Sequence, residues 1–402
     1  MKKYKVVWLC PFANKEVAEM LGINNQPMVA PWISELIELF RNRHDVEIVI
    51  VSPNYYTNTA KDLCIDNIHV YLFKYKPDYL PKVAYNLTYN YSIPRKSIRS
   101  IIDKVKPDLI HLFGSENPHY SAALMDLYTR YPILVSLQGF VHLSTRPANL
   151  ISKYIRWNRV RFEKKINQQA KYISYTSSDS LQALNEINPT SIKFQSNFPT
   201  TVPTVQSDDY PDKKYDLVFY ARVTRNKGVE DFIEAVHKLK DSVGGVKAII
   251  IGGATESYLN TLKQQVKSLN LEENIEFAGF QPAQKDVFNL AVQAKIYVLP
   301  SYFDGTPGTI REAMYMKLPV VAYNVGGIPS FNEEKECITL AESRNIADLV
   351  DKIVLVMNDE ERTTRLVSNA YEMACRTLDN NIVYDNFIRF YTEIIELENE
   401  KN

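Results

Sequence analysis

Short apolar runs alternate with longer amphipathic runs along almost the whole chain. Residues 31–43 show the amphipathic kind, because Ile33, Leu36, Ile37 and Phe40 recur at intervals that predict one buried helix face. The apolar runs are typical of parallel strands covered on both faces. The predicted strands are KVVWLC (5–10), VEIVIV (46–51), IHVYLF (68–73), DLIHLF (108–113), ILVSLQ (133–138), KYISYT (171–176), DLVFYA (216–221), VKAIIIGG (246–253), IEFAGF (275–280), KIYVLP (295–300) and PVVAYN (319–324).

One segment interrupts this alternation. Residues 197–215 are rich in Pro, Thr and Asp, which is typical of an interdomain linker. The length of 402 residues also exceeds the usual size of one hydrophobic core. We therefore predict an α/β protein with two doubly wound domains, 1–198 and 199–380. Ligands of such sheets bind beyond the carboxyl ends of the strands.

Composition and charge narrow the classes of function. Lys+Arg and Asp+Glu are both 47, so no net charge favours nucleic acid as a partner. The four cysteines lack C-x-x-C spacing, which predicts neither a disulfide framework nor zinc and fits a cytoplasmic compartment. The apolar start ends at Pro11 without a cleavage signal, so we interpret it as a strand rather than a signal peptide. No apolar run is long enough to span a membrane.

Two cations follow the strand predicted at 216–221. Arg222 comes directly after it, and Lys227 precedes Gly228 near the start of a predicted helix. Free backbone N–H groups at a helix start, together with an Arg and a Lys, form a favourable anion site. The alternative is that both side chains are ordinary solvated loop cations.

The stretch YFDGTPGTIREAM (302–314) provides a second such helix start. A helix beginning near Pro307 leaves the amides of Gly308, Thr309 and Ile310 as unpaired donors. Such amides suit a bound anion.

Two acids flank these amides. Asp304 lies in the preceding loop, and Glu312 lies about one turn inside the helix. Acids beside a bound anion are best explained as acceptors from the hydroxyl groups of a sugar or a ribose. The alternative is a capping box formed by Thr309 and Glu312, with Asp304 as a turn residue. Neither a G-x-G-x-x-G nor a P-loop motif occurs, which weighs against dinucleotide and P-loop functions.

The combined motifs resemble a known family. YARVTRNKGVEDFIEAV, IIIGG, IEFAGF and LPSYFDGTPGTIREAMYMKLPVVAYNVGGIPS stand in the order found in the retaining glycosyltransferases of family 4. The resemblance is strong over 215–375 and looser in the first half, through PDLIHLFG and AKYISYTSSDSLQAL. It implies the GT-B fold, in which two Rossmann-like domains face each other across a cleft. It also implies that a C-terminal helix, about 381–402, crosses back to the first domain.

The resemblance also implies roles for particular residues. The second domain would bind a UDP- or GDP-linked sugar, and the first would bind a saccharide or lipid-linked acceptor. Arg222, Lys227, Asp304 and Gln138 would take part in catalysis. The donor would be held by a larger set: Arg222, Lys227, Gly253, Phe280, Gln281, Asp304, Gly308, Thr309 and Glu312.

Within that set, the cations and amides would hold the diphosphate, Glu312 the ribose and Asp304 the sugar, with Phe280 and Gln281 at the base. Cations and amides aimed at the departing diphosphate would supply the main electrostatic stabilisation. No D-x-D triplet occurs, so we expect a metal-independent reaction without a cofactor.

Three departures from the family pattern affect these expectations. Asp304 stands where the family usually has Glu, and the glycine-rich loop after the first strand is missing. Gln138 occupies the position of a family histidine and cannot act as a general base. Gly139 and His142 are cleft candidates, and His142 either replaces that histidine or is a structural loop residue.

Two other functions remain open at this point. A nucleotide-sugar 2-epimerase of the same fold would use the same nucleotide site, and a subunit that has lost catalysis would only bind. The leading prediction is a retaining hexosyltransferase of polysaccharide or glycolipid synthesis.

Membrane contact is a separate question. Residues 71–100 interleave Tyr, Phe, Lys and Arg, which suits a protein lying peripherally on the inner face of a membrane. Ordinary packing of the tyrosines is the alternative that we favour.

Overall fold

The computed structural model describes residues 4–24, 29–41, 43, 45–77, 90–143, 149–243 and 245–400, with only the backbone at 241–243. The chain divides into two compact units. The first contains Met1–Pro199 and Asn380–Asn402, and the second contains Thr200–Asp379.

The first unit is built on an eight-stranded sheet. Its strands β1 to β8 are Tyr4–Leu9, Val46–Pro53, Lys61–Ile65, Ile68–Phe73, Leu109–Phe113, Ile133–Ser136, Tyr172–Tyr175 and Ile192–Gln195. Helices α1 to α6 are Lys15–Met20, Pro31–Arg41, Ser92–Val105, Pro118–Ser121, Leu150–Gln169 and Ser178–Ile187. The strand order is β3-β4-β2-β1-β5-β6-β7-β8, and all neighbours are parallel except β3 and β4. The order reverses direction between β1 and β5, which is where such sheets bind ligands.

The second unit has a six-stranded parallel sheet. Its strands β9 to β14 are Tyr215–Tyr220, Ala248–Ile251, Ile275–Gly279, Ala294–Leu299, Val320–Tyr323 and Thr339–Ala341. Helices α7 to α12 are Val229–Val243, Glu256–Ser268, Gln284–Ala291, Gly308–Tyr315, Ile346–Asn358 and Glu360–Thr377. The order β11-β10-β9-β12-β13-β14 is that of a dinucleotide-binding fold, with its switch point between β9 and β12.

The C-terminal helix α13 (Asn380–Asn399) belongs to the first unit. Its buried residues recur at helical spacing and pack in one core with strand β1: Val383, Tyr384, Phe387, Phe390, Tyr391, Ile394 and Ile395. The Tyr391 hydroxyl accepts from Trp8 Nε1 at 3.0 Å and lies 2.7 Å from His111 Nδ1. His111 Nε2 lies 2.7 Å from Ser136 Oγ, so a buried polar chain fixes the helix against three strands.

The apolar pattern predicted all but three of these strands. The missed strands β3 and β8 carry exposed polar residues, and β14 has only three residues. The segment 197–215, predicted to be an interdomain linker, differs more clearly from the prediction. Val202, Val205 and Tyr210 pack against the core of the second unit, so much of 197–215 is part of that unit.

The described aromatic side chains of the stretch at 71–100 are interior. Tyr71, Phe73, Tyr75 and Tyr91 are all buried, which agrees with the packing alternative for these residues. Residues 78–89 of the stretch lie outside the described residues.

Candidate functional site

The loop after β9 approaches the end of β12 very closely. It contains a 3₁₀ turn, Arg225–Lys227, and ends at Gly228 with φ +70°. A Cβ at Gly228 would lie 1.8 Å from the carbonyl oxygen of Pro300, so no other residue fits without displacing the backbone. This contact brings Lys227 beside the loop that follows β12.

Lys227 and Asp304 form an ion pair. The Lys227 ammonium contacts Asp304 Oδ2, and the two side chains are only 14% and 17% exposed. A Cβ at Gly326 would lie 2.0 Å from the Asp304 carbonyl oxygen, so close backbone packing fixes the acid. Arg222 is exposed and pairs with no side chain in the described part of the chain. It therefore supplies a cation that is available to a ligand.

Helix α10 begins one residue later than the sequence suggested. Pro307 is its N-cap, and the Ile310 amide donates to the Pro307 carbonyl at 3.1 Å. The expectation that Ile310 offers a free N–H is therefore wrong. Across the described ranges, the amides of Gly308 and Thr309 have no hydrogen-bond partner. They remain the two donors of the helix start.

The capping-box alternative is also wrong. Thr309 is the second helical residue, and its Oγ1 accepts from the Tyr297 hydroxyl at 2.8 Å. The Tyr220 hydroxyl donates to the Thr309 carbonyl at 2.7 Å. Both tyrosines are buried: Tyr220 is the last residue of β9, and Tyr297 lies within β12. They therefore anchor the helix start to the switch point.

Glu312 is 5% exposed and points toward the same helix start. Its Oε1 accepts from Thr200 Oγ1 at 2.9 Å, and its Oε2 from Gln284 Nε2 at 3.4 Å. Burial raises the pKa of Glu312 to about 7, although both hydrogen bonds oppose the shift. A Cβ at Gly308 would lie 3.9 Å from Glu312 Oε1, so the carboxylate is close to the free amides.

The ends of β10 and β11 complete this region. The Gly253 carbonyl accepts from the Val223 amide at 3.0 Å, next to Arg222. A Cβ at Gly253 would lie 3.6 Å from Phe280, whose side chain is 65% exposed. Gln281 Nε2 donates to the Ala278 carbonyl at 2.8 Å. The exposed ring thus stands beside the glycine, as a flat surface that a planar group can stack on.

Sequence reasoning missed the two partners of Glu312. Thr200 lies in the segment interpreted as a linker, and Gln284 begins helix α9 with no distinctive motif around it. Only the tertiary fold brings them to Glu312. Tyr220, in contrast, ends a predicted strand, and that position could have been recognised.

The candidates of the first unit lie after β6. Gln138 Nε2 is buried without a partner among the residues that the structure describes. A Cβ at Gly139 would meet no atom within 4 Å, so this position borders open space. His142 Nδ1 lies 3.2 Å from Glu163 Oε2, and Glu163 also accepts from the Val141 amide at 2.7 Å. The fully buried Glu163 carboxylate therefore orients the His142 ring.

Neither a metal centre nor a membrane span is found among the described residues. No cluster of three or more His, Cys, Asp or Glu side chains is arranged to hold a metal ion there. Among the described helices, none combines the length and the apolar character needed to cross a bilayer.

Sequence comparison shows which known proteins the chain is similar to. Residues 205–373 match the family described as "Glycosyl transferases group 1". Over 383 residues the chain is 24% identical to the N,N'-diacetylbacillosaminyl-diphospho-undecaprenol alpha-1,3-N-acetylgalactosaminyltransferase of Campylobacter jejuni, covering 90% of this chain and 94% of that protein.

Solved structures give the same fold. Sucrose-phosphate synthase from Thermosynechococcus elongatus has a TM-score of 0.75 and 14% identity, covering 98% of this chain and 100% of that chain. Anabaena HepE, solved with UDP-glucose, has a TM-score of 0.65 and 18% identity, covering 99% of this chain and all of that chain. These structures show that the chain has the GT-B fold, with two Rossmann-like α/β units.

Proposed function

We propose that the chain transfers a hexosyl-type sugar from a UDP- or GDP-linked donor to a saccharide or lipid-linked saccharide acceptor. The observation that supports this proposal is that Arg222 and Lys227 follow β9, the free amides of Gly308 and Thr309 follow β12, and these two strands flank the switch point. A diphosphate needs such a set of donors and positive charge.

Each side chain has a role that its chemistry supports. Arg222 and Lys227 bind the diphosphate and stabilise the charge that develops on it as the glycosidic bond breaks. The cation of Lys227 is already next to Asp304, so it can hold a phosphate oxygen while Asp304 accepts from a sugar hydroxyl. Glu312 accepts from the ribose, and Phe280 with Gln281 borders the base.

The stereochemical course is retention, proposed on the resemblance to family 4. A front-face displacement needs no enzyme nucleophile, since the leaving diphosphate itself can take the acceptor proton. The reaction is proposed to need no metal, because two cations and two amides are present for the diphosphate. UDP is tested first, since HepE was solved with UDP-glucose.

The acceptor is proposed to be a saccharide carried on a lipid or a growing polysaccharide. The Campylobacter relative is named for an undecaprenol-linked acceptor. Such a substrate favours a cytoplasmic protein lying peripherally on the membrane. The names of these relatives also favour transfer over 2-epimerisation.

The first experiment is a thermal-shift series with UDP, GDP, ADP, CMP, dTDP and NAD. A ligand that binds only the folded protein raises its melting temperature. One nucleoside diphosphate should stabilise the parent, and the Arg222→Ala/Lys227→Ala variant should not respond.

Lys263→Ala/Lys267→Ala is the matched control, because it removes two exposed cations from helix α8 of the same unit. The control should respond like the parent. If the Arg222→Ala/Lys227→Ala variant responds equally, the phosphate site is wrongly assigned. If no nucleotide shifts the parent, the donor proposal fails.

A further inference from the structure

The carboxyl ends of β5 and β6 hold buried polar atoms that the donor site does not use. Ser115 is fully buried, and its Oγ has no partner in the part of the chain that the structure describes. Glu116 Oε2 and Gln138 Nε2 are also buried and have no hydrogen-bond partner among the described residues. Since buried polar atoms are nearly always hydrogen-bonded, three such atoms at adjoining strand ends indicate a ligand.

Strand register places these residues together. Phe113 pairs with Ser136, and the Gly114 amide donates to the Ser136 carbonyl at 2.9 Å. Two residues beyond that pair stand Ser115 and Gln138. The Glu116 carboxylate folds back over Gly114, where a Cβ would lie 2.6 Å from both of its oxygens.

The atom types select the ligand. Glu116 Oε2 can only accept from a hydroxyl while ionised, Gln138 Nε2 only donates, and Ser115 Oγ does either. Vicinal hydroxyl groups of a sugar satisfy all three. Burial and then the Glu163 carboxylate raise the pKa of Glu116 to about 7, while the Arg159 guanidinium opposes this shift. An anion such as phosphate would add a further negative charge beside these two acids, so a neutral ligand fits better.

We propose that Ser115, Glu116 and Gln138 bind hydroxyl groups of a saccharide, with Glu116 as the residue that determines specificity. That this saccharide is the acceptor rests on the proposed function, whereas the binding site itself does not.

Saturation-transfer NMR with the full chain tests the site. The probes are the methyl α- and β-glycosides of glucose, galactose, N-acetylglucosamine and N-acetylgalactosamine. At least one should bind the parent. At about pH 8, where the Glu116 carboxylate is largely ionised, Glu116→Gln should weaken that binding about tenfold, as expected for loss of a hydrogen bond to a charged group.

Two variants keep the outcomes separate. Glu186→Gln, an exposed position on α6, should bind like the parent. Arg222→Ala/Lys227→Ala should also keep glycoside binding while losing the nucleotide response, so the donor proposal can fail alone. The saccharide site is overturned if no glycoside binds the parent, or if Glu116→Gln binds equally well.

A second, independent observation concerns helix α5. Large apolar side chains are exposed over its first two turns: Leu150 is 81% exposed, Ile151 69%, Tyr154 49% and Trp157 54%. Tyr154 and Trp157 stack with their ring centroids 5.5 Å apart. Isolated exposed apolar residues are normal, but four on one helical face mark an interaction surface.

The same helix is strongly cationic. It contains six Lys or Arg residues and one acid, the buried Glu163, in a chain of zero net charge. Lys153, Arg161, Lys164 and Lys165 are exposed, and none of them is ion-paired with any described residue. Aromatic and aliphatic residues beside unpaired cations match the interface of an anionic bilayer.

We infer that this face of α5, defined by Leu150, Ile151, Tyr154, Trp157 and the four exposed cations, docks on an anionic membrane surface. Charge complementarity selects an anionic lipid over a neutral one. The surface lies after the aromatic stretch at 71–100 in sequence and does not include it.

Vesicle flotation tests the surface, with phosphatidylcholine vesicles and with vesicles containing phosphatidylglycerol. The parent should float only with phosphatidylglycerol, and bound Trp157 should shift its emission to the blue while the buried Trp8 stays unchanged. Ile151→Ser/Trp157→Ser and Lys164→Gln/Lys165→Gln should each reduce binding about tenfold.

The control is Leu355→Ser/Ile382→Ser, which removes exposed apolar residues elsewhere and should float like the parent. Absence of flotation with either lipid overturns the inference. So does a dimer in light scattering that Ile151→Ser/Trp157→Ser abolishes, since a second copy would then cover this face.

Discussion

At the residue scale, the proposed donor site depends on side chains whose charge is set by their surroundings. Lys227 and Asp304 neutralise each other before any ligand arrives, and Glu312 is held among uncharged partners. Ligand binding must therefore reorganise little charge. Such preorganisation is what electrostatic catalysis requires.

Glu312 should make stability depend on pH. Its pKa is raised from 4.5 to about 7 in the fold, so its stabilising contribution is present below pH 4.5 and is lost as pH rises through 7. The effect amounts to a few kcal/mol at most, since one pKa unit corresponds to about 1.4 kcal/mol. Denaturant unfolding of the parent and of Glu312→Gln, at pH values from about 5 to about 8, measures this change in the free energy of unfolding.

The stability of Glu312→Gln relative to the parent should therefore increase as pH rises. Glu116→Gln should show the same trend, because Glu116 also has a pKa raised to about 7, although it lies in the first unit. A stability difference that does not change with pH would contradict the burial of an ionisable Glu312.

The Lys227–Asp304 pair should show coupling. Removing either partner leaves the other partly buried and unpaired, so Lys227→Met and Asp304→Asn should each destabilise by about 1–3 kcal/mol. The double variant should cost less than the sum of both. A double-mutant cycle by urea unfolding measures this coupling, and strict additivity would show that the contact contributes nothing.

At the element scale, glycines allow the loops of the second unit to meet. Gly228 and Gly279 both have φ +70°, but only Gly228 faces a backbone atom where its Cβ would be. The two positions thus separate the effect of left-handed backbone from that of the close approach.

Gly228→Ala should therefore be much more harmful than Gly279→Ala. The latter should cost about 1–2 kcal/mol for the left-handed conformation alone. Gly228→Ala must also displace Pro300, which should disturb Lys227 and abolish the nucleotide response. Thermal shifts with UDP measure both effects, and equal behaviour of the two variants would refute the steric argument.

Helix α13 depends on its buried hydroxyl. Tyr391→Phe leaves the Trp8 indole N–H and His111 Nδ1 without their partner, which should destabilise the first unit by about 2–4 kcal/mol. Tyr154→Phe, on an exposed ring, should have almost no effect. Guanidinium unfolding compares them, and equal stability of both variants would mean that the polar chain is dispensable.

At the scale of the whole molecule, the two proposed sites occupy different units. The proposed donor residues, from Arg222 to Glu312, lie in the second unit, while Ser115, Glu116 and Gln138 lie in the first. In these proposals each unit therefore binds one substrate at the carboxyl ends of its own strands.

Hydrogen exchange of the full chain should separate the two sites. UDP should slow exchange at 222–228 and 304–312 and leave 114–118 and 138–142 unchanged, because the donor groups all lie in one unit. A methyl glycoside that binds should show the opposite pattern. Protection of both regions by UDP alone would contradict this division.

The sequence by itself determined the α/β class, most strands and the helix at 31–41, because apolar periodicity is a local property that buried faces impose. It also predicted a helix start near Pro307, since proline favours the first helical position. The assigned roles of the residues around this helix start stay predictions.

Only the tertiary structure decided which distant groups meet. The Lys227–Asp304 pair spans 77 positions, and Thr200 meets Glu312 across 112. No periodicity encodes such contacts, since they depend on how glycines let loops approach. Tertiary packing likewise buried the tyrosines near position 71 and exposed Trp157, although both stretches carry similar residues. Exposure is a property of the packed neighbours, which local sequence does not contain.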